Sequence, residues 1–171
     1  ADAALDEVQK KQGFSISKDW RGHNTHFLWY AALMQGRGDA ALAAARTLAE
    51  RAKGRNHTYA EYARSLPLLT LLRLERWDAL LTEPIADGER GMAQALGAQA
   101  HGVAQARNGR TADAKQSLVG AEAAVKKVHA AHAGGGGTIE LATVELGVLE
   151  GHLGERDEPA RPGGAQLEQR V

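Results

Sequence analysis

His23-Asn24-Thr25-His26-Phe27-Leu28-Trp29-Tyr30-Ala31-Ala32-Leu33-Met34-Gln35-Gly36, followed by Arg37-Gly38-Asp39-Ala40-Ala41, reads as a helix, a glycine turn and the start of a second helix folding back. His23 or Asn24 stands where a helix cap is wanted, and Gly36 is a natural terminator. The second helix is expected from about Asp39 to Lys53. Its Ala41, Ala45 and Leu48 recur at the spacing of one buried face, and Gly54-Arg55-Asn56 breaks it.

Outward from this hairpin the same grammar returns. Upstream, Asp2 to Gln12 reads as a leading helix, and Gly13 to Gly22 as a connection that tucks Phe14, Ile16 and Trp20 against the first hairpin. Downstream, Thr58 to Glu75 is helical in composition, but Pro67 is expected to kink it or to start a new helix. The leucines at 68, 69, 71, 72 and 74 leave that helix apolar on most sides, which predicts a central position. Trp77 to Leu81 begins a return helix that Pro84 and Asp87-Gly88 end early. A third hairpin runs from Arg90 to Asn108, turns at Gly109 and returns from Thr111 to about Ala131. The glycines 134 to 137 form a loop before a fourth helix, Ile139 to Leu153. Pro159 and Pro162 predict a poorly ordered end over 155–171. The domain reading is one helical unit over 1–171, with hairpins near 23–53, 57–83, 90–131 and 138–171.

Composition narrows the function classes. Lys plus Arg equals Asp plus Glu at 21 each, so there is no basic footprint for nucleic acid or an anionic membrane. No apolar run approaches the roughly 18 residues a membrane helix needs. The absence of cysteine excludes disulfides, thiolate zinc sites and a cysteine nucleophile. Abundant alanine with few β-branched residues favours closely packed helices over sheet. The compartment stays open, leaning to the cytoplasm.

With Gly36, Glu75, Gly109 and Gly154 set level as turn residues, small residues fall at matching places. Gly102 and Gly147 lie seven before their turns, and Ala41 and Ala114 lie five after theirs. Small residues there let paired helices approach, the logic of stacked hairpins that cannot bury their faces alone. This pattern resembles the tetratricopeptide repeat, although the turn-to-turn spacings are not uniform. His23-Asn24-x-His26-Phe27-Leu28, Gly36-Arg37 with Ala41, and Pro67-Leu68-Leu69 with Arg76-Trp77-Asp78 are similar to bacterial tetratricopeptide proteins of unassigned biochemistry, over roughly Trp20 to Gly154. The resemblance implies an all-α, right-handed α-solenoid of about 7–9 helices. It implies a non-catalytic scaffold with a concave groove for a protein or peptide, in a chain that looks like a middle segment or a shortened member.

Carried over position by position, the family's groove falls on the first helix of each hairpin. It gives His23, His26, Tyr30, Leu33 and Met34; then Tyr62, Ser65, Leu69, Leu72 and Arg73. It continues with Leu96, Gln99, Val103, Ala106 and Arg107, and ends with Leu141, Val144, Val148, Gly151 and His152. Such a groove suits a peptide with apolar side chains and an acidic group for an arginine. The competing reading makes Leu69, Leu96, Val103, Val144 and Val148 interhelix core.

Chemistry has thin support. His23/His26 and His129/His132 are two His-x-x-His pairs, which place two imidazoles on one helix face at metal-ligand spacing. Glu61 or Tyr62 is a candidate third ligand to the first pair, and a metal- or small-ligand-binding protein using His23, His26 and Glu61 is the alternative function. His101 reads as a packing histidine and His57 as a loop residue. The four glycines lack the lysine and the preceding strand of a phosphate loop, and no serine sits in a nucleophile elbow. Trp77 is expected to pack at its turn while Asp78 caps the return helix. No cofactor is implied. The ends of the array lack a polar cap helix, so self-association through them is a further expectation.

Overall fold

The computed structural model describes residues 2–13, 18–88 and 91–131, all of whose regular structure is α-helical. The helices are α1 (Asp2–Gln12), α2 (Lys18–Met34), α3 (Gly38–Arg51), α4 (Thr58–Arg73), α5 (Trp77–Thr82), α6 (Met92–Arg107) and α7 (Thr111–Ala131). Consecutive helices pair as α2 with α3, α4 with α5 and α6 with α7, while α4 also packs on α3 and α6.

The three turns are built alike. After α2 the Arg37 N–H donates to the Ala32 carbonyl at 2.9 Å and the Gly36 N–H to Leu33 at 3.2 Å. After α4, Arg76 donates to Leu71 at 3.0 Å and Glu75 to Leu72 at 3.1 Å; after α6, Arg110 donates to Gln105 at 2.8 Å and Gly109 to Ala106 at 3.1 Å. This is the Schellman pairing, which uses up helix-end carbonyls and needs a left-handed residue at its centre. That residue has φ of 70° at Gly36, 55° at Glu75 and 76° at Gly109. An arginine follows each time, and its carbonyl accepts from Ala41, Leu80 or Ala114. Those three side chains are fully covered, at 0 % exposure. The repeat legible at Gly36, Glu75 and Gly109 is therefore a repeat of cap geometry and of the first buried residue behind it.

Glu75 alone holds the left-handed position without being glycine among the described residues. Relief of its backbone strain is worth about 1–2 kcal/mol, and glycine's extra freedom in the unfolded chain returns about 0.5–1. Glu75→Gly is expected to stabilise the fold by about 0.5–1 kcal/mol, read as a higher midpoint in urea. A lower midpoint would mean that the Glu75 side chain contributes more than its backbone costs.

Four details depart from the sequence reading. Helix α2 begins at Lys18, so Gly22 lies inside it and neither His23 nor Asn24 is its cap. Helix α4 continues through Pro67 as one element, so no new helix starts there. Buried Leu66, Leu68, Thr70 and Leu71 hold it from several sides, and packing offsets the donor that proline cannot give to the Ala63 carbonyl. His57 caps α4, its Nδ1 accepting from the Ala60 N–H at 3.2 Å. Arg76 occupies the cap position of α5 without a side-chain capping bond, its guanidinium pairing instead with Asp39 at 2.8 Å, and Asp78 sits in the first turn facing the helix dipole. The fourth hairpin and the expected poorly ordered end over 155–171 lie outside the described residues.

Helix α4 is central because it is buried nearly all round. Leu66 joins Trp29, Ala32, Ala41, Ala44, Ala45 and Leu48 in one cluster, and Leu68 and Leu71 join Leu80, Ala100 and Ala104 in another. Where α5 stops, Glu83 to Gly88 continues without helix and lies over α4 and α6. His101 Nε2 donates to the Glu83 carbonyl at 2.9 Å, and Arg64 Nη2 to the Asp87 carbonyl at 3.0 Å. Ile85 fills the space a side chain on Gly97 would need, its Cγ2 falling 2.5 Å from an ideal Cβ there.

Candidate functional site

Helix α2 carries two different faces. Its inner stripe, Thr25, Trp29 and Ala32, is buried. The Trp29 indole N–H donates to Thr70 Oγ1 at 2.8 Å, and the Thr70 hydroxyl passes its own proton to the Leu66 carbonyl at 2.6 Å. Arg51 Nη1 donates to Thr25 Oγ1 at 2.6 Å. These bonds fix the rotation of α2 against α3 and α4. They leave Phe27, Leu28, Tyr30 and Met34 turned outward, at 68, 55, 55 and 63 % exposure.

Between the two faces sits His26, half-buried. Its ring centre is 5.1 Å from Trp29 and 6.3 Å from Tyr62. Tyr62 lies 6.1 Å from Tyr59, and Tyr59 stacks on His57 at 6.4 Å with an interplanar angle of 5°. His23 adds a ring 6.3 Å from Phe27. A line of rings thus runs from α2 to the first turn of α4. His26 Nε2 is covered and has no hydrogen-bond partner among the described residues. Burial first, and then the nearby His23 charge, lower the His26 pKa below its usual value, so the neutral imidazole is favoured. A covered nitrogen with no partner is an incomplete site, which an incoming hydroxyl or carbonyl could complete.

Of the residues that the family resemblance assigns to a groove, the structure leaves some exposed and covers others. His23, Tyr30 and Met34 are exposed on α2, and Tyr62 is half-buried against two core clusters. Arg73 and Arg107 are exposed in the last turns of α4 and α6, where cations complement the helix dipole. Gln99 and Val103 are instead covered, at 1 and 2 % exposure, as are Ser65, Leu96 and Ala106. Helix α6 has α4, α5 and α7 packed around it, so its expected groove row apart from Arg107 is core. The Gln99 amide lies there with neither Oε1 nor Nε2 paired. His152 and the other fourth-row positions lie outside the described residues.

Glu61 is not a partner of the histidine pair. One residue before Tyr62 on the same helix, it turns about 100° away. Its carboxylate, with 0 % exposure, lies against Gly88, and Oε2 accepts from the Ala93 N–H of α6 at 3.2 Å. No group of three or more His, Asp or Glu side chains among the described residues is placed to hold a metal ion.

Sequence reasoning missed Phe27, Leu28 and Tyr59 as site residues. The signal was present: no charged residue occurs from Gly22 to Gln35, unusual for a helix with an exposed face. A separate cleft of about 800 Å³ lies between the end of α3, α4 and the 83–88 segment. Arg46 and Glu83 pair across it at 2.8 Å, and Arg64 Nη1 donates to the Ala52 and Arg55 carbonyls. Arg46, through Glu83, and Arg64, through the Asp87 carbonyl, thus hold the segment in place.

No family model, curated protein or solved structure matches this chain.

Proposed function

We propose that this chain is a non-catalytic helical-repeat scaffold of tetratricopeptide type, a right-handed α-solenoid that binds a protein or peptide. The single observation carrying this reading is the exposed, uncharged ring face formed by α2 and the start of α4. Soluble domains rarely leave several large apolar side chains side by side on one helix unless something covers them. The three equivalent turns support the solenoid half of the reading, since repeated caps of one geometry stack hairpins in one sense. The binding set is the exposed His23, Tyr30 and Met34 with the half-buried His26 and Tyr62, extended by Phe27 and Tyr59, with Arg73 and Arg107 at the far ends of their helices. Aromatic anchors of this kind commonly supply most of a peptide's binding energy.

Selection of binders from a random peptide display library tests the reading. Enriched peptides are expected to be rich in apolar residues and to shift the amide resonances of residues 23–34 and 57–62. Tyr30→Ala, with the helical circular dichroism signal unchanged, is expected to weaken them at least about tenfold, roughly 1.4 kcal/mol. Peptides that shift only the residues of the α3 and 83–88 cleft would overturn it.

A further inference from the structure

We propose that the exposed face of α2 docks against the same face of a second copy, as an antiparallel two-helix contact. This deepens the protein-binding reading and rests on it, because it names a partner for that face. The spacing carries the idea. His23, Phe27, Tyr30 and Met34 are exposed and follow one another at four, three and four residues, the seam along which helices pack at a shallow angle. The seam is also symmetric about its midpoint. Turned end for end, it sets Phe27 against Tyr30 of the other copy and His23 against Met34, a ring opposite a ring and a thioether beside an imidazole. A two-fold contact requires this kind of self-complementarity.

Charge agrees. From Gly22 to Gln35 there is no Asp, Glu, Lys or Arg, so two copies meet without burying an unpaired charge or opposing like charges. A charged peptide would find nothing there to pair with. Area agrees as well. Taking a large side chain as about 200 Å², the exposed fractions of Phe27, Tyr30 and Met34 give about 370 Å² of side-chain surface on each copy. Both copies together, with the exposed His23, Asn24, Ala31 and Gln35 beside them, approach the roughly 1,200 Å² of a small specific interface. Among the described residues α2 makes its main helix contact with α3, and no described helix packs on this side.

Sedimentation equilibrium across about 1–100 µM, a range suited to contacts of this size, is expected to show a reversible dimer. Phe27→Asp should raise its dissociation constant at least about 100-fold. Tyr30→Lys gives a second route to the same result, and circular dichroism checks that each variant keeps its helices. The chain has no native cysteine, so single cysteines report the geometry cleanly. Mild oxidation of mixed His23→Cys and Met34→Cys variants should give the crossed disulfide, and Met34→Cys alone should give little. A monomer throughout the range, a dimer unaffected by both charge substitutions, or efficient Met34→Cys self-crosslinking would each overturn the proposal. A monomer whose α2 amides still shift with selected peptides would overturn self-docking while leaving the protein-binding reading standing.

Discussion

Gly91→Ala is expected to lower the stability of this protein by about 3–5 kcal/mol, a large part of what holds a domain of this size together. Two costs meet at this residue. Gly91 is the residue before α6 and has φ of 88°, a conformation that charges a residue with a side chain about 1–3 kcal/mol. An ideal Cβ would also fall 2.6 Å from the Ala124 carbonyl oxygen and 2.9 Å from Lys127 Cβ, both on α7. Backbone cannot step aside as a side-chain tip can, so relief requires α7 to move off α6, at about 1–3 kcal/mol more. The reference is Gly36→Ala. Gly36 has φ of 70° with nothing within 4 Å of its would-be Cβ, so it carries the strain without the collision. Urea unfolding of the two variants separates the terms: Gly91→Ala should lose about 1–3 kcal/mol more than Gly36→Ala. Equal losses would show that α6 and α7 can separate at little cost.

Glu61→Ala is the second large effect, about 3 kcal/mol. Helix α6 begins at Met92 with a glycine before it, no side-chain cap of its own and no acidic residue in its first turn. The cap comes from another helix. Glu61, on α4, places its carboxylate at the Ala93 N–H and supplies the negative charge that the start of α6 lacks. Removing it leaves a buried donor unpaired, costing about 1–3 kcal/mol, and opens a void against Gly88. Glu61→Gln keeps an acceptor oxygen and nearly the same volume but gives up the charge, so its loss should be smaller, about 1–2 kcal/mol. Thermal melts of the three proteins test the ordering. A Glu61→Gln loss equal to that of Glu61→Ala would mean that charge alone matters at this site. Neither variant is expected to alter peptide shifts on α2, because Glu61 faces away from the ring line.

The features legible in the sequence are the local ones. Gly36, Glu75 and Gly109 can be aligned without coordinates because the cap they form closes within six residues, and its chemistry is written in those residues. The same holds for the arginine that follows and the buried Ala41, Leu80 and Ala114. The helices from α3 onward follow apolar spacing and glycine breaks. Phe27, Tyr30 and Met34 are visible as apolar residues, but spacing does not say which of α2's apolar faces turns inward. Trp29 and Tyr30 are neighbours in sequence, and distant contacts, among them the bond from Trp29 to Thr70, 41 residues away, select the one that is buried.

What tertiary structure decided is the meaning of residues whose partners are distant in sequence. Glu61 beside Tyr62 offers equal grounds for a ligand to His26 or for something else; the position of α6 makes it a helix cap. Gln99 and Val103 occupy positions that the family pattern assigns to a groove, yet α4, α5 and α7 close around α6 and put them in the core. Pro67 carries a local rule against helix, and the packing of α4 on α3 and α6 overrides it. The sequence by itself determined an all-helical chain of repeated hairpins, because helix periodicity and capping act over a few residues. Which faces those helices share, and so which aromatic residues remain open to a partner, depended on contacts between residues tens of positions apart, whose energies are set by distance in space.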